Sequence, residues 1–555
     1  MKYTKKIVTA LLAGSFLSTT PVFATTLPAT SGTTSPSSPT VQKNIQESLQ
    51  TLYTLVPELR DLQLKENNTY QRNQTSFQVL SYEGKAEKAH AMVVFNLDTG
   101  ELYRFTINHP DWASKNTPSI SLVKEKTTEF LNKMLGEKEA ERYQFDDGVG
   151  FMSGSSGRME DGKEVVFTEA SAQFSPLIHG IPLKSNYDIR MSVNAAGRVT
   201  SFYNENKKIN TNLFPDPKQA IPKEQAEELF LTSLKPELIY DEKQPTAIKI
   251  FGDREGEHPV LKYVMGISPT IDAITGTPLA SYIPQEQLNK KLYPVTPKGQ
   301  TLTVRNEQEA AQILKSELGM DVSGLSLSKN KYEHPYSLSA SQTYTWSKQD
   351  DYTESYDVQV DTSTNRVLAI GMHRQGEVDT SKPVTKKITK EAAEQIAVKT
   401  LEKYLPTSVK EVQVRDVFSV DENFIPAWVD KSKLEKTTTD MINTYYVSIA
   451  ETHNHIPIST RTYNIHIDYN SGEVIDISLI PEETRATLPN SKNTVTKEEA
   501  ASEYIKKHPL QLQYHWDYYG DQLAPTPQLV YVPTYDYSYS YIDAISGQTI
   551  NVPNK

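Results

Sequence analysis

The sequence predicts an α+β fold: a tandem array of six modules, each one helix packed on an antiparallel β-sheet, in two similar three-module halves. Three observations predict it. The stretch Ile271-Asp272-Ala273-Ile274-Thr275-Gly276 returns almost unchanged as Ile542-Asp543-Ala544-Ile545-Ser546-Gly547, 271 positions on. Looser copies pair Asn96 with Gly100, Asn194 with Gly197, Asp361 with Asn365, and Asp468 with Gly472. Amphipathic helical patterns and strand-like runs fill the intervals between copies.

Each copy reads as a β-hairpin loop. The Asp or Asn side chain accepts from nearby backbone N–H groups in an Asx turn. The Gly, or Asn365, takes the position that needs φ > 0. The motif is therefore a folding signal and not a catalytic one. Its spacing runs long then short in both halves: 98 and 78 residues, then 107 and 75. Half-to-half offsets of 265, 274 and 271 residues imply a duplicated three-module unit.

The chain opens with Lys2, Lys5 and Lys6, an apolar run from Ile7 to Leu17, and Val22-Phe23-Ala24. Residues 1–24 read as a secretory signal peptide cut near Ala24. The run is too short to span a membrane. Residues 25–41 form a Ser/Thr/Pro linker with too few apolar groups to fold. Module 1 covers 42–110, opened by a helix with Ile45, Leu49, Leu52, Val56 and Leu59 on one face. Module 2 covers 117–210, with a helix near Leu122–Leu135 and the alternating strand Tyr187–Val193. Module 3, 219–291, opens with Pro222 in the first helical turn. Residues 292–302 read as a second linker. Module 4 covers 303–380, with a helix over Glu307–Leu314. Module 5, 386–485, has Ala393, Ile396, Ala397 and Leu401 on its helical face. Module 6, 494–555, starts with the capping-box pattern Thr496…Glu499.

The 555 residues contain no cysteine, which excludes disulfides, thiol catalysis and thiolate metal sites. Without the signal peptide the balance is 55 basic against 69 acidic residues, so nucleic acid is not an expected partner. Exported, cysteine-free and Lys-rich composition associates with Gram-positive bacteria.

The Thr-Lys-Glu-x-Ala helix start and the closing Tyr541-Ile-Asp-Ala-Ile-Ser-Gly547 resemble the PepSY superfamily, in modules 3 and 6 above all. Modules 2 and 5 resemble the fungalysin/thermolysin propeptide motif, in Ile178-His179-Gly180-Ile181-Pro182-Leu183 and His453-Asn454-His455-Ile456-Pro457-Ile458. The tandem arrangement without a protease domain is similar to the YcdB/YcdC repeated-domain proteins. The resemblance implies secreted or envelope proteins that accompany proteases as folding assistants or inhibitors.

Motifs for chemistry are sparse. There is no His-Glu-x-x-His. Gly148–Gly157 lacks the Lys of a phosphate-binding loop, and no Gly-x-Ser-x-Gly occurs. His453 and His455 are the metal candidates, since both imidazoles would share a face if the segment were extended. With no third ligand, the reading is no metal and no cofactor. His466 reads as a surface residue. Tyr535, Tyr537, Tyr539 and Tyr541 share one strand face, either exposed or covered by Ala500, Tyr504 and Ile505. The expected function is a secreted, non-enzymatic protein of the cell envelope or extracellular space. It binds another protein in trans, a secreted protease being one candidate. The alternatives are a cell-wall or polysaccharide binder, or a hydrolase with an unrecognised site between modules.

Overall fold

A computed structural model describes residues 38–552 except 73–74, 85–88, 147–151, 161–162, 185–187, 205–208, 243–258, 266–268, 280–289, 333–339, 349–350, 379–385, 420–424, 435–436, 441–442, 481–485, 521 and 535–538. The predicted signal peptide, most of the first linker, Tyr535 and Tyr537 lie outside the described residues. The fold is mixed α+β, mostly strands, in largely antiparallel sheets.

Six helices carry apolar faces onto the sheets, and side-chain caps set most of their starts. Ser38, Ser119, Asn306, Thr389 and Thr496 each accept from a backbone N–H of the first turn, and Glu499 completes the box with Thr496. The first helix, Pro39–Leu55, starts inside the stretch expected to be linker. Ser38 as cap and Pro39 at the first position are enough to begin it there. The 292–302 segment is not a free linker either. Lys291–Pro294 pairs antiparallel with Glu411–Phe418, and the N–H groups of Lys298, Gly299 and Gln300 donate to carbonyls of Glu402, Leu405 and Lys403.

In the first half, the four-stranded meander Gln63–Arg72, Thr75–Glu83, His90–Asn96 and Leu102–Asn108 joins the second module where Leu102–Asn108 meets Val199–Tyr203. In the second half, Val367–Val378 meets Val474–Ser478 in the same way. Each joined sheet buries one face against its helices.

The third and sixth modules are not self-contained, contrary to the sequence expectation. Each helix keeps its own closing hairpin and packs on the inner strands of the other half. The Asp272 hairpin pairs with Gln528–Pro533, which pairs with Leu510–His515. Reciprocally, the Asp543 hairpin pairs with Val260–Val264, which pairs with Glu237–Asp241. The lent strands then run parallel to the neighbouring second or fifth module, Tyr514 opposite Leu183 and Tyr240 opposite Ile458. Phe230 of the third helix thus shares a core with Ile271, Leu510, Tyr514, Leu529 and Tyr531. Ala500 of the sixth packs with Tyr240, Leu261, Tyr263 and Ile542. Both inner hairpins carry a similar apolar pattern, Leu261 and Tyr263 in one and Leu529 and Tyr531 in the other. Polar contacts lock the exchange: Tyr514 Oη donates to the Pro215 carbonyl at 2.5 Å and Tyr240 Oη to that of Pro489 at 3.1 Å. Glu237 pairs with Arg415 and Lys290, and Glu242 with Arg461.

Candidate functional site

The six repeated turns have one local geometry. Asn96, Asp272, Asp361, Asp468 and Asp543 each accept, through the backbone carbonyl, from the residue four positions on at 2.7–2.9 Å. In the shorter copy Gly197 donates to Asn194 at 2.9 Å. Every Asx Oδ1 also accepts from the N–H two residues on. Gly100, Gly197, Gly276, Asn365, Gly472 and Gly547 have positive φ. The turns close separate hairpins, and each Oδ1 is held by its own loop; Asp468 Oδ2 also accepts from Arg374 Nη1 at 3.4 Å.

His453 and His455 do not share a face. Asn454 and His455 have φ of 52° and 65°, the two-residue turn of a tight hairpin and not an extended stretch. His453 meets the Tyr240 ring at 5.6 Å, while His455 Nδ1 reaches Glu411 at 2.8 Å. The matching turn of the second module places His179 Nδ1 3.2 Å from Tyr514 Oη. These histidines dress the ends of the exchanged strands. Among the described residues, no three or more His, Asp or Glu side chains are grouped to hold a metal.

Ionisable groups gather elsewhere, on the sheet face opposite the helices where the fourth and fifth modules join. Register defines one cross-strand row: Thr345, Asp357, Gly371, Asp476, His466, Tyr446, Phe418. Their chain neighbours Tyr344, Val358, Ile370, Ile477, Ile465, Val447 and Val417 all point into the helix-side core, so the row itself faces away from it. Asp476 leans across Gly371, where any Cβ would collide with its carboxylate. His466 Nδ1 stands 3.5 Å from Asp476, and His373 Nε2 stands 3.4 Å from Asp357. Thr345 Oγ1 donates to Asp357. The rings of Tyr446 and His466 lie 4.4 Å apart, and Phe418 stacks on Tyr446 at 4.8 Å.

Burial sets the electrostatics. It pushes the Asp476 carboxyl up to about 7, with Asp357 adding to the rise and His373 opposing it. Burial, then the nearby His373, pulls His466 down to about 4. His466 is no surface residue: its side chain is 16% exposed. Neighbouring strands and the Tyr446 ring shut it off from water. A neutral carboxylic acid beside a neutral imidazole can donate, accept or bind a cation near neutral pH.

The similar strand order of the two large sheets supplies an internal comparison. The equivalent first-half row reads Ser81, Met92, Thr106, Ser201, Ser192, Ser171. There Ser171 and Ser192 hydroxyls meet at 3.2 Å. The fold therefore builds this row without a single charge. The sequence reading missed Asp357, His373 and Asp476, because only strand register brings them together.

A buried carboxylate of a different kind sits in the second module. Asp188 is 2% exposed, receives Gln173 Nε2, and has an Oδ1 without a hydrogen bond. Burial lifts it to about 7 against the partial opposition of Lys184. Its folded pKa lies above the unfolded value, so its stabilising contribution is full below about pH 4 and is lost as pH rises through 7. Asp188→Asn should therefore reduce the fall in melting temperature between about pH 5 and about pH 8. Calorimetry showing equal slopes for both chains would refute this.

No family model matches the sequence, and no curated protein matches it. Among solved structures, the chain is similar to the Bacillus megaterium YpeB C-terminal domain, at 14% identity over 45% of this chain and 99% of that one, with a TM-score of 0.26. It is similar to a copper-containing benzylamine oxidase from Hansenula polymorpha at 9% identity, over 89% of this chain and 87% of that one, with a TM-score of 0.10. At these scores neither likeness bears on function. Among the described residues, no helix is long and apolar enough to cross a membrane.

Proposed function

We propose that the chain is a secreted, non-enzymatic repeat protein of PepSY-like modules, working in the cell envelope or extracellular space. It binds another protein in trans, a secreted protease that it inhibits or chaperones being the first candidate. The observation that carries this reading is the contrast between the two equivalent rows. In this one central row the first half keeps Ser, Thr and Met, with Arg104, Tyr203 and Arg190 only in the next row along, whereas the second half places Asp, His, Tyr and Phe in the row itself. Large aromatic and ionisable groups on a face that the fold does not need suit recognition. The edge strands are poorer docking sites. Gln63–Arg72 carries Lys65, Glu66, Asn67 and Asn68, and Ser326–Tyr332 carries Lys329 and Lys331, side chains that discourage strand addition.

The test is capture from the producing bacterium's culture supernatant with the chain from Thr25, beside its Phe418→Ala, Tyr446→Ala variant. A secreted protein retained in stoichiometric amount by the first and lost from the second supports the reading. Recovery of nothing, or equal recovery by both, removes it. The pair of carboxylates flanking Gly371 favours one second reading, a hydrolase between modules, with Asp476 as general acid. Turnover of peptide or glycan substrates, abolished by Asp476→Asn, would establish that instead.

A further inference from the structure

We propose that the row centred on Gly371 recognises a cationic side chain, an arginine or lysine presented by an extended basic segment of a partner protein. The inference rests on the binding role proposed for this face and names the chemistry of its ligand. Two carboxylates approach the centre from opposite strands, Asp357 on one side and Asp476 on the other. A residue without a side chain lies between them, and the Asp476 carboxylate uses that space. Beside them, His466 Nδ1 is buried without a hydrogen bond. Tyr446 and Phe418 extend the row as ring faces, and Phe418 is 37% exposed. Carboxylates next to ring faces are what a guanidinium or ammonium group requires. The chain's net charge of −11 attracts the same ligand from a distance.

The groups facing Asp476 explain why the cation must come from outside. Asp357, on Asp351–Asp361, is a like charge. His466, on Ile456–Asp468, stays neutral until well below pH 6 because burial and His373 oppose its protonation. His373, on Val367–Val378, is 55% exposed and stands against Asp357. Ser478, on the same strand as Asp476, offers one hydroxyl at 3.4 Å. An incoming cation stabilises the ionised Asp476 and expels its proton. Affinity must then rise with pH until Asp476 is ionised in the free protein as well.

The probe is a fluorescein-labelled hexa-arginine peptide, titrated by anisotropy into the chain from Thr25 at physiological ionic strength. Affinity should rise about thirtyfold between about pH 5.5 and about pH 8, one proton being released. Asp476→Asn should flatten that rise and weaken binding at about pH 8 by about tenfold. Asp357→Asn should weaken binding while keeping the pH dependence. Glu125→Gln, which removes an exposed acid from the first half, should change neither. Melting curves identify any variant that has not folded, and either Asp variant alone decides the question. Equal losses in Asp476→Asn and Glu125→Gln would mean diffuse attraction to an acidic surface and overturn the proposal, as would pH-independent binding. Binding of a chito-oligosaccharide and not of hexa-arginine would also overturn it, yet leave the face as a binding site. Supernatant capture that is indifferent to Phe418→Ala, Tyr446→Ala would instead remove the binding role itself.

Discussion

Expressed alone, residues 25–289 will not remain a folded monomer, and neither will residues 290–555. In the first fragment nothing lies between Ile181–Lys184 and the Asp272 hairpin, because both intervening strands come from the sixth module. The core around Phe230 loses Leu510, Tyr514, Leu529 and Tyr531, all buried. Removing a large buried side chain costs about 2–5 kcal/mol, and four together match or exceed the roughly 5–15 kcal/mol that holds a domain folded. The inner hairpin Glu237–Asp241 and Val260–Val264 is meanwhile left with no sheet to join. Light scattering after gel filtration should show self-paired dimers or aggregates from each fragment. Mixing the two should restore a one-to-one complex that melts close to the intact chain. A monodisperse, cooperatively melting monomer of either fragment would contradict the exchange. Within the intact chain, Tyr514→Ala should destabilise by about 3–5 kcal/mol and lower one shared transition.

Gly100→Ala is the second large effect expected. Gly100 has φ of 80°, and a Cβ there would lie 2.6 Å from Asn44 Cβ and 2.7 Å from the Val41 carbonyl oxygen. One obstacle is backbone of the first helix, so it cannot swing aside. Asn44 Nδ2 also donates to the Thr99 carbonyl at 3.0 Å, which ties this turn to that helix. Left-handed strain of about 1–2 kcal/mol adds to the collision, for a total of about 3 kcal/mol or more. Gly180→Ala isolates the strain alone. Its φ is 78°, and nothing lies within 4 Å of the added carbon, so about 1–2 kcal/mol is expected. Urea midpoints for the two variants measure the difference. Equal losses would show that the first-module turn does not press on its helix.

Helix starts and repeated turns were legible because both are written locally. Thr496 and Glu499 declare a cap within four residues, and Asp272 finds its acceptor role within three. The hairpin exchange was not legible. Strands around Tyr240 and Tyr514 are copies of one pattern, and no local feature says which helix each must cover. His453 and His455 misled for a related reason: a polar triplet reads equally as strand or as tight turn until its φ values are known. The row around Gly371 was hidden by distance. Asp357 and Asp476 become near neighbours only through two strand registers set far apart in the chain. His466 looked solvent-facing from alternation alone, which says nothing of the tyrosine ring lying against it.

The reciprocal loan of hairpins also bears on how the protein meets proteolysis. A nick between Leu279 and Lys290 severs the chain but not the particle, since each portion still clasps a loop of the other. What holds the portions together is short paired segments, Ile271–Asp272 with Val530–Tyr531 and Lys262–Tyr263 with Ile542–Asp543, set beside the buried side chains around Phe230 and Ala500.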